Sequence, residues 1–230
     1  LGTDSANGVS GGCVWQNPAP IVKRPAHPAN TRRTRSLVVD DDGRVSTALQ
    51  VPSPNCDERP RDTAISLLVV HGISLPPGDF GGNAIERLFT NQLDPGAHPY
   101  FASIAALRVS AHFLIRRDGA LVQFVPCRLR AWHAGESTWR GRSHCNDFSI
   151  GIELEGCDDV GYADAQYLML TRIARALARR YPIADIVGHS DIAPGRKTDP
   201  GAAFDWTRLA GSIRRLPKVK VNYPGAGSAV

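Results

Sequence analysis

Apolar positions recur in two distinct rhythms along this 230-residue chain. Period-two or continuous apolar runs, which predict strands, cover Ser66–Val70, His112–Arg116, Leu121–Val125, Ser149–Glu155 and Ile183–Gly188. The Arg117-Asp118-Gly119-Ala120 stretch between the second and third runs carries an Asp-Gly turn signal, so a hairpin is expected there. Helical spacing places Tyr167, Leu170, Ile173, Ala174 and Leu177 on one stripe of an Ala163–Tyr181 helix that Pro182 stops. Shorter helices are predicted over Asn83–Asn91 and Phe204–Arg215. Strands interleaved with helices predict an α/β (α+β) fold: a single mixed β-sheet flanked by helices, without internal repeats.

Before Val51 the pattern disappears. Gly, Pro, Asn, Thr and Arg dominate, so residues 1–50 are expected to form a flexible extension, 51–216 the folded domain and 217–230 a loose tail. Lys23, Arg24, Arg32, Arg33 and Arg35 precede the acidic run Asp40-Asp41-Asp42, but no aromatics interleave them, so a nucleic-acid arm is not expected. The whole-chain balance of 27 basic against 22 acidic residues, net +5, is a mild excess that favours plain solubility, could draw in an anionic ligand and falls short of a nucleic-acid signature. No window is apolar enough to span a bilayer and the start lacks a signal-peptide pattern, giving an expectation of a soluble, cytoplasmic protein without a membrane partner. Cys13, Cys56, Cys127, Cys145 and Cys157 are widely spaced, without a C-x-x-C pair, which fits reduced structural thiols. Oligomeric state is not legible.

Two places concentrate chemistry. His71 directly follows the apolar run Leu67–Val70, so a strand delivers an imidazole to its C-terminal end. The turn-rich segment from Gly188 to Gly201 gathers His189, Asp191, Arg196, Lys197 and Asp199, although Asp191 and Asp199 are equally suited to local turn hydrogen bonds. Two His and one Asp from separate elements meet the three-ligand requirement of a catalytic zinc. Glu153 and Glu155 are both candidates for the proton-accepting carboxylate, and alternation puts them on one strand face, so spacing cannot choose between them. Lys197 is the candidate cation for a developing oxyanion.

An ordered set of motifs spans about Val51 to Arg215: Leu68-Val69-Val70-His71, Ile73-Ser74-Leu75-Pro76-Pro77-Gly78, Ser110-Ala111-His112, Arg116-Arg117-Asp118-Gly119, Trp132-His133-Ala134-Gly135, Cys145-Asn146-Asp147-Phe148 running into Ser149–Gly156, and Gly188-His189 to Pro200-Gly201. This set resembles the AmpD type of N-acetylmuramoyl-L-alanine amidase, within the wider group of zinc amidases and peptidoglycan recognition proteins. The resemblance implies zinc held by His71, His189 and Asp199, with Glu153 rather than Glu155 as general base and Lys197 stabilising the oxyanion. It further implies substrate contacts at Arg108, Asn146, Ala193 and Arg196, and cleavage of the lactyl amide to L-alanine in 1,6-anhydro-muropeptides during peptidoglycan recycling. The alternatives are an exported amidase acting on intact peptidoglycan and a non-catalytic peptidoglycan-binding module. The chain departs from the family pattern at Gly72, where many members have Asn, and at His144, where some have Arg, which bears on how substrate is positioned. His133 is expected to line the cleft or order a loop, His112 to bond within the core, and Trp132 to stack on a sugar or simply pack.

Overall fold

The computed structural model describes residues 36–214, 216 and 218–222. In chain order the strands are β1 (Leu49–Gln50), β2 (Cys56–Glu58), β3 (Leu67–Ile73), β4 (Phe113–Ile115), β5 (Leu121–Gln123), β6 (Leu129–Ala131), β7 (Thr138–Trp139), β8 (Arg142–Ser143), β9 (Ser149–Glu155), β10 (Asp185–Gly188) and β11 (Lys220–Val221). The helices are α1 (Ala84–Phe89), α2 (Pro99–Ile104), α3 (Asp164–Arg180), α4 (His189–Ile192) and α5 (Trp206–Ile213).

Seven strands form one sheet in the order β1-β5-β4-β9-β3-β10-β11. All neighbours are parallel except β4 and β5, so the sheet is mixed as expected. The antiparallel pair is the predicted hairpin: Gly119 N–H donates to Arg116 O and Ala120 N–H to Asp118 Oδ1. Gly119 adopts φ +83°, and a Cβ there would lie 2.9 Å from Ala165 O, so both conformation and packing demand glycine.

The central strands β3 and β9 are buried along nearly their whole length, as parallel strands covered on both faces must be. Leu68, Val70, Ile150, Ile152 and Leu154 pack with Tyr167, Leu170, Ile173, Ala174 and Leu177 of α3 and with Leu209 and Ile213 of α5. The five stripe positions of α3 are thus all in the core. On the opposite face Leu114, Val122 and Phe124 pack with Ile85, Leu88 and Phe89 of α1 and Phe101 of α2, while Leu67, Val69 and Val187 pack with Ala134, Cys145, Phe148 and Ile192.

Two expected boundaries move. Leu37, Val39, Val45 and Ala48 are buried in the main core, and β1 forms a sheet edge against β5, so the folded domain includes residues 36–50 and does not start at Val51. The Val45 N–H donates to the buried Gln123 Oε1 and Cys127 N–H to Gly43 O, which ties this segment to the β5 end. After residue 216, β11 pairs with β10, so the C-terminal tail is not wholly loose. The expected extension over residues 1–35 and the end of the tail lie outside the described residues.

Candidate metal centre and cleft

Strand β3 continues to Ile73, three residues beyond its predicted end at Val70, so His71 lies within the strand and not at its end. Register pairs His71 with Glu153 on β9, and Val70 with Gly188 on β10, the residue before His189. Parallel alignment therefore delivers His71, Glu153 and His189 to the same end of the sheet without any sequence proximity.

His189 opens α4, which winds directly off β10. The two aspartates of this segment separate in role. Asp191 Oδ2 accepts from Gly188 N–H at 2.7 Å, the local turn bond. Asp199 instead faces both imidazoles: its Oδ2 is 3.2 Å from His71 Nδ1 and 3.1 Å from His189 Nδ1, and the two Nδ1 atoms are 3.0 Å apart. A return bond from Ser190 N–H to Asp199 O fastens the far end of the loop to α4.

Three donor atoms at nearly equal separations form a triangle that suits one cation. A tetrahedral ion with bonds of about 2.0–2.1 Å places its ligand atoms roughly 3.3 Å apart, so a small expansion of this triangle accommodates zinc with a fourth position free. His71, His189 and Asp199 are also the one group among the described residues whose ligand atoms meet in this way. The donor set, two imidazoles and a carboxylate, matches a catalytic rather than a structural zinc site, which is usually cysteine-rich.

Burial and the neighbouring His189 lower the pKa of His71 to about 4, so its imidazole is neutral and available as a ligand. Burial opposes ionisation of Asp199, but the hydrogen bonds and charges of His189 and His71 outweigh it and hold the carboxyl well below the usual range. Glu153 behaves oppositely. Burial, reinforced by the Asp199 carboxylate and opposed by Lys197, pushes its pKa well above the ordinary value. Its Oε2 is buried without a hydrogen-bond partner, an orphaned acceptor beside the donor triangle.

These groups line a cleft of about 660 Å³ together with Lys197 and Arg196. Its other wall is apolar, formed by Leu75, Leu88, Phe89, Tyr100, Ile104 and Leu107. The sequence pattern did not reveal α2, which supplies Tyr100 and Ile104; six residues behind Pro99 carry too little periodicity.

The remaining expected site residues fall in different places. Arg196 lines the cleft and donates to Ala134 O at 2.8 Å. Arg108 is exposed and donates to the carbonyls of Ala106 and Leu107 at the end of α2. Asn146 is turned to the scaffold: its Oδ1 accepts from His133 N–H and Ala134 N–H at 3.1 and 2.8 Å. Ala193 is buried, and its carbonyl accepts from the N–H groups of Arg196 and Lys197. His144 is exposed and does not line the cleft, whereas the absence of a side chain at Gly72 leaves room for the Tyr162 hydroxyl.

His112 bonds within the core as expected, accepting from Gly151 N–H at Nδ1 and lying 3.1 Å from Leu129 O at Nε2. His133 lies closer to the chemistry than the sequence suggested. Its Nδ1 is 2.9 Å from Nε2 of His71. The motif Trp132-His133-Ala134-Gly135 flagged the segment, but nothing in its spacing named the contact.

Comparison with known proteins gives a consistent family assignment. The profile of the family described as N-acetylmuramoyl-L-alanine amidase matches residues 61–202. The chain is 61% identical over 171 residues to the 1,6-anhydro-N-acetylmuramyl-L-alanine amidase AmpD of Citrobacter freundii, covering 74% of this chain and 91% of that protein. It is 62% identical over 164 residues to AmpD of Escherichia coli strain K12, covering 70% and 90% respectively. A crystal structure of a selenomethionine derivative of AmpD superposes with a TM-score of 0.72 at 61% identity, covering 76% of this chain and 97% of that one.

Proposed function

The chain belongs to the N-acetylmuramoyl-L-alanine amidase family, and from that premise we propose that it is a zinc enzyme hydrolysing the lactyl amide to L-alanine in 1,6-anhydro-N-acetylmuramoyl peptides, a peptidoglycan-recycling reaction. The observation that carries this reading is the triangle of His71 Nδ1, His189 Nδ1 and Asp199 Oδ2 with the unpartnered Glu153 carboxylate beside it in one cleft. The substrate is taken from the named activity of relatives that are 61–62% identical over some nine-tenths of their length.

His71, His189 and Asp199 would hold the ion. When bound, zinc supplies Lewis acidity, which makes a water molecule more acidic and polarises the scissile carbonyl. Glu153 accepts the proton of the attacking water at its free Oε2, and its raised pKa lets it retain that proton long enough to pass it to the leaving L-alanine nitrogen. Lys197, whose charge reaches Glu153 and His71, stabilises negative charge developing on the attacked carbonyl oxygen. Arg196 is the expected substrate contact that lines the cleft, and its guanidinium suits the carboxylates of a stem peptide. Cys56, Cys127, Cys145 and Cys157 are free thiols, which supports a reducing, cytoplasmic setting. No helix among the described residues is long and apolar enough to cross a membrane.

Mass analysis of products from a purified 1,6-anhydro-muropeptide, with and without chelator, tests the proposal. Release of free stem peptide that stops on chelation and returns with zinc is the expected result. Release insensitive to metal removal, or none from the zinc-loaded protein, would overturn it.

A further inference from the structure

Both candidate ligand histidines turn Nδ1 toward the shared cation position, so each must keep its proton on Nε2 and have an acceptor there. A single segment, residues 132–135, meets both needs. His189 Nε2 lies 3.3 Å from Ala134 O, which can only accept, so His189 carries its proton at Nε2. His71 Nε2 lies 2.9 Å from His133 Nδ1, and His133 Nε2 in turn lies 3.0 Å from Ser149 Oγ. If His71 donates to His133, then His133 holds its own proton at Nε2 and donates it to Ser149.

The surroundings are built to keep His133 in that position. Ser149, Gly151 and Glu153 share one face of β9. Ser149 terminates the relay, and Gly151 leaves space for the imidazole, since a Cβ there would lie 2.5 Å from His133 Cγ. Asn146 Oδ1 fixes the segment by accepting both the His133 and Ala134 N–H groups. His133 and Ser149 are both buried, and His133 is the side chain within hydrogen-bonding distance of His71 Nε2.

We propose that His133, backed by Ser149, is the positioning residue that holds His71 in the metal-binding tautomer, with Asn146 and Gly151 as the supports that keep its imidazole in register. The inference rests on the zinc reading above. It gives the Trp132-His133-Ala134-Gly135 motif a function in metal retention and reassigns Asn146 from substrate contact to support of that motif.

Zinc affinity is measured by competition with a chromogenic chelator for the wild type and for His71→Ala, His133→Phe, His133→Gln and Ser149→Ala, with thermal unfolding followed in parallel. Nitrogen-15 NMR of the His71 ring in the zinc-loaded proteins reports the tautomer directly. Phe fills the space without an acceptor, and its zinc Kd is expected to weaken by about 10–100-fold, in the range of lost outer-sphere partners. Gln presents a carbonyl to His71 Nε2–H and is expected to recover most of that loss, with Ser149→Ala weakening binding by only a few-fold. Wild-type zinc affinity in His133→Phe, with His71 still protonated at Nε2, overturns the inference while leaving the zinc site intact. Should His133→Phe not fold, near wild-type zinc affinity in His133→Gln together with a few-fold loss in Ser149→Ala supports the proposal, and wild-type affinity in Ser149→Ala overturns it. A wild-type protein that binds no zinc, or a His71→Ala variant that binds it normally, removes the underlying metal reading as well.

Discussion

Glu153 and Glu155 stand two residues apart on one face of β9, yet their carboxylates occupy opposite electrostatic settings. Glu155 accepts from Gly81 N–H at 2.6 Å, from Arg117 N–H at 3.1 Å and from the Arg116 guanidinium at 3.3 Å, so its charge is consumed in pinning the 74–83 loop and the hairpin. Glu153 has a free buried oxygen and faces the Asp199 carboxylate, with Lys197 as its compensating charge. A tied carboxylate is a poor proton acceptor, and a free one of raised pKa is a good one.

Glu153→Gln is therefore expected to lower turnover by about 10²–10⁴-fold while zinc stays bound. Glu155→Gln is expected to retain the chemistry but to lose stability by about 1–3 kcal/mol, because charge-assisted bonds at a buried carboxylate weaken. Steady-state kinetics and denaturant unfolding on both variants decide this, and equal catalytic losses would sink the distinction.

The same environment fixes the sign of a pH effect. Since burial raises the Glu153 pKa, the carboxyl stays protonated above the pH at which a free Glu ionises, near 4.3, and a protonated carboxyl cannot act as base. The acidic limb of kcat/KM should therefore lie above the ordinary carboxylate range and be absent from the residual activity of Glu153→Gln. A profile flat down to pH 4 would contradict the assignment.

Cys127 is fully buried, and its thiol pKa is pushed up to about 12 by burial. Thiolate is the reactive form, so raising the pKa reduces it at every pH below that value. Native protein at pH 8 should take up iodoacetamide at Cys157, which lines the cleft, and none at Cys127. Peptide mass mapping reads the difference, and unfolding should abolish it.

Tyr162 occupies the space left by Gly72 and Gly156, and its hydroxyl donates to Pro200 O at 2.9 Å, one residue beyond Asp199. Tyr162→Phe removes one buried hydrogen bond and should cost about 1 kcal/mol, or roughly 2–4 °C in Tm. Gly72→Ala places a methyl against the Tyr162 hydroxyl and should cost more. A Gly72→Ala protein as stable as the wild type would show that the ring is free to move.

The packing of Leu37, Val39, Val45 and Ala48 predicts the outcome of truncation. Compared with a chain beginning at Ser36, one beginning at Val51 should lose at least about 4.5 kcal/mol, taking roughly 1.5–3 kcal/mol for each of Leu37, Val39 and Val45. Thermal melts of the two would give a difference of about 10 °C. Coincident melts would mean the segment adds nothing to the core.

Elements long enough to show a period could be read directly from the order of residues. The α3 stripe, the Asp-Gly hairpin and the continuous runs of β3 and β9 were legible because burial imposes its spacing on many consecutive residues. Motif resemblance also supplied His71, His189, Asp199, Glu153 and Lys197 as the candidate site, since an ordered series of short patterns survives wherever the chain folds. Two- and three-residue strands, the six-residue α2 and the packed segment 36–50 carried no such repetition, and their place depends on partners distant in sequence. The split between Glu153 and Glu155 was likewise invisible to alternation, which gives both the same face. The resemblance pointed to Glu153, and the tertiary structure supplies a physical difference between the two, setting Gly81, Arg116 and Arg117 around Glu155 and leaving Glu153 beside the imidazole–aspartate triangle. The His71–His133 contact has the same origin: 62 residues separate the two rings along the chain, and sheet register and loop packing bring them within hydrogen-bonding distance.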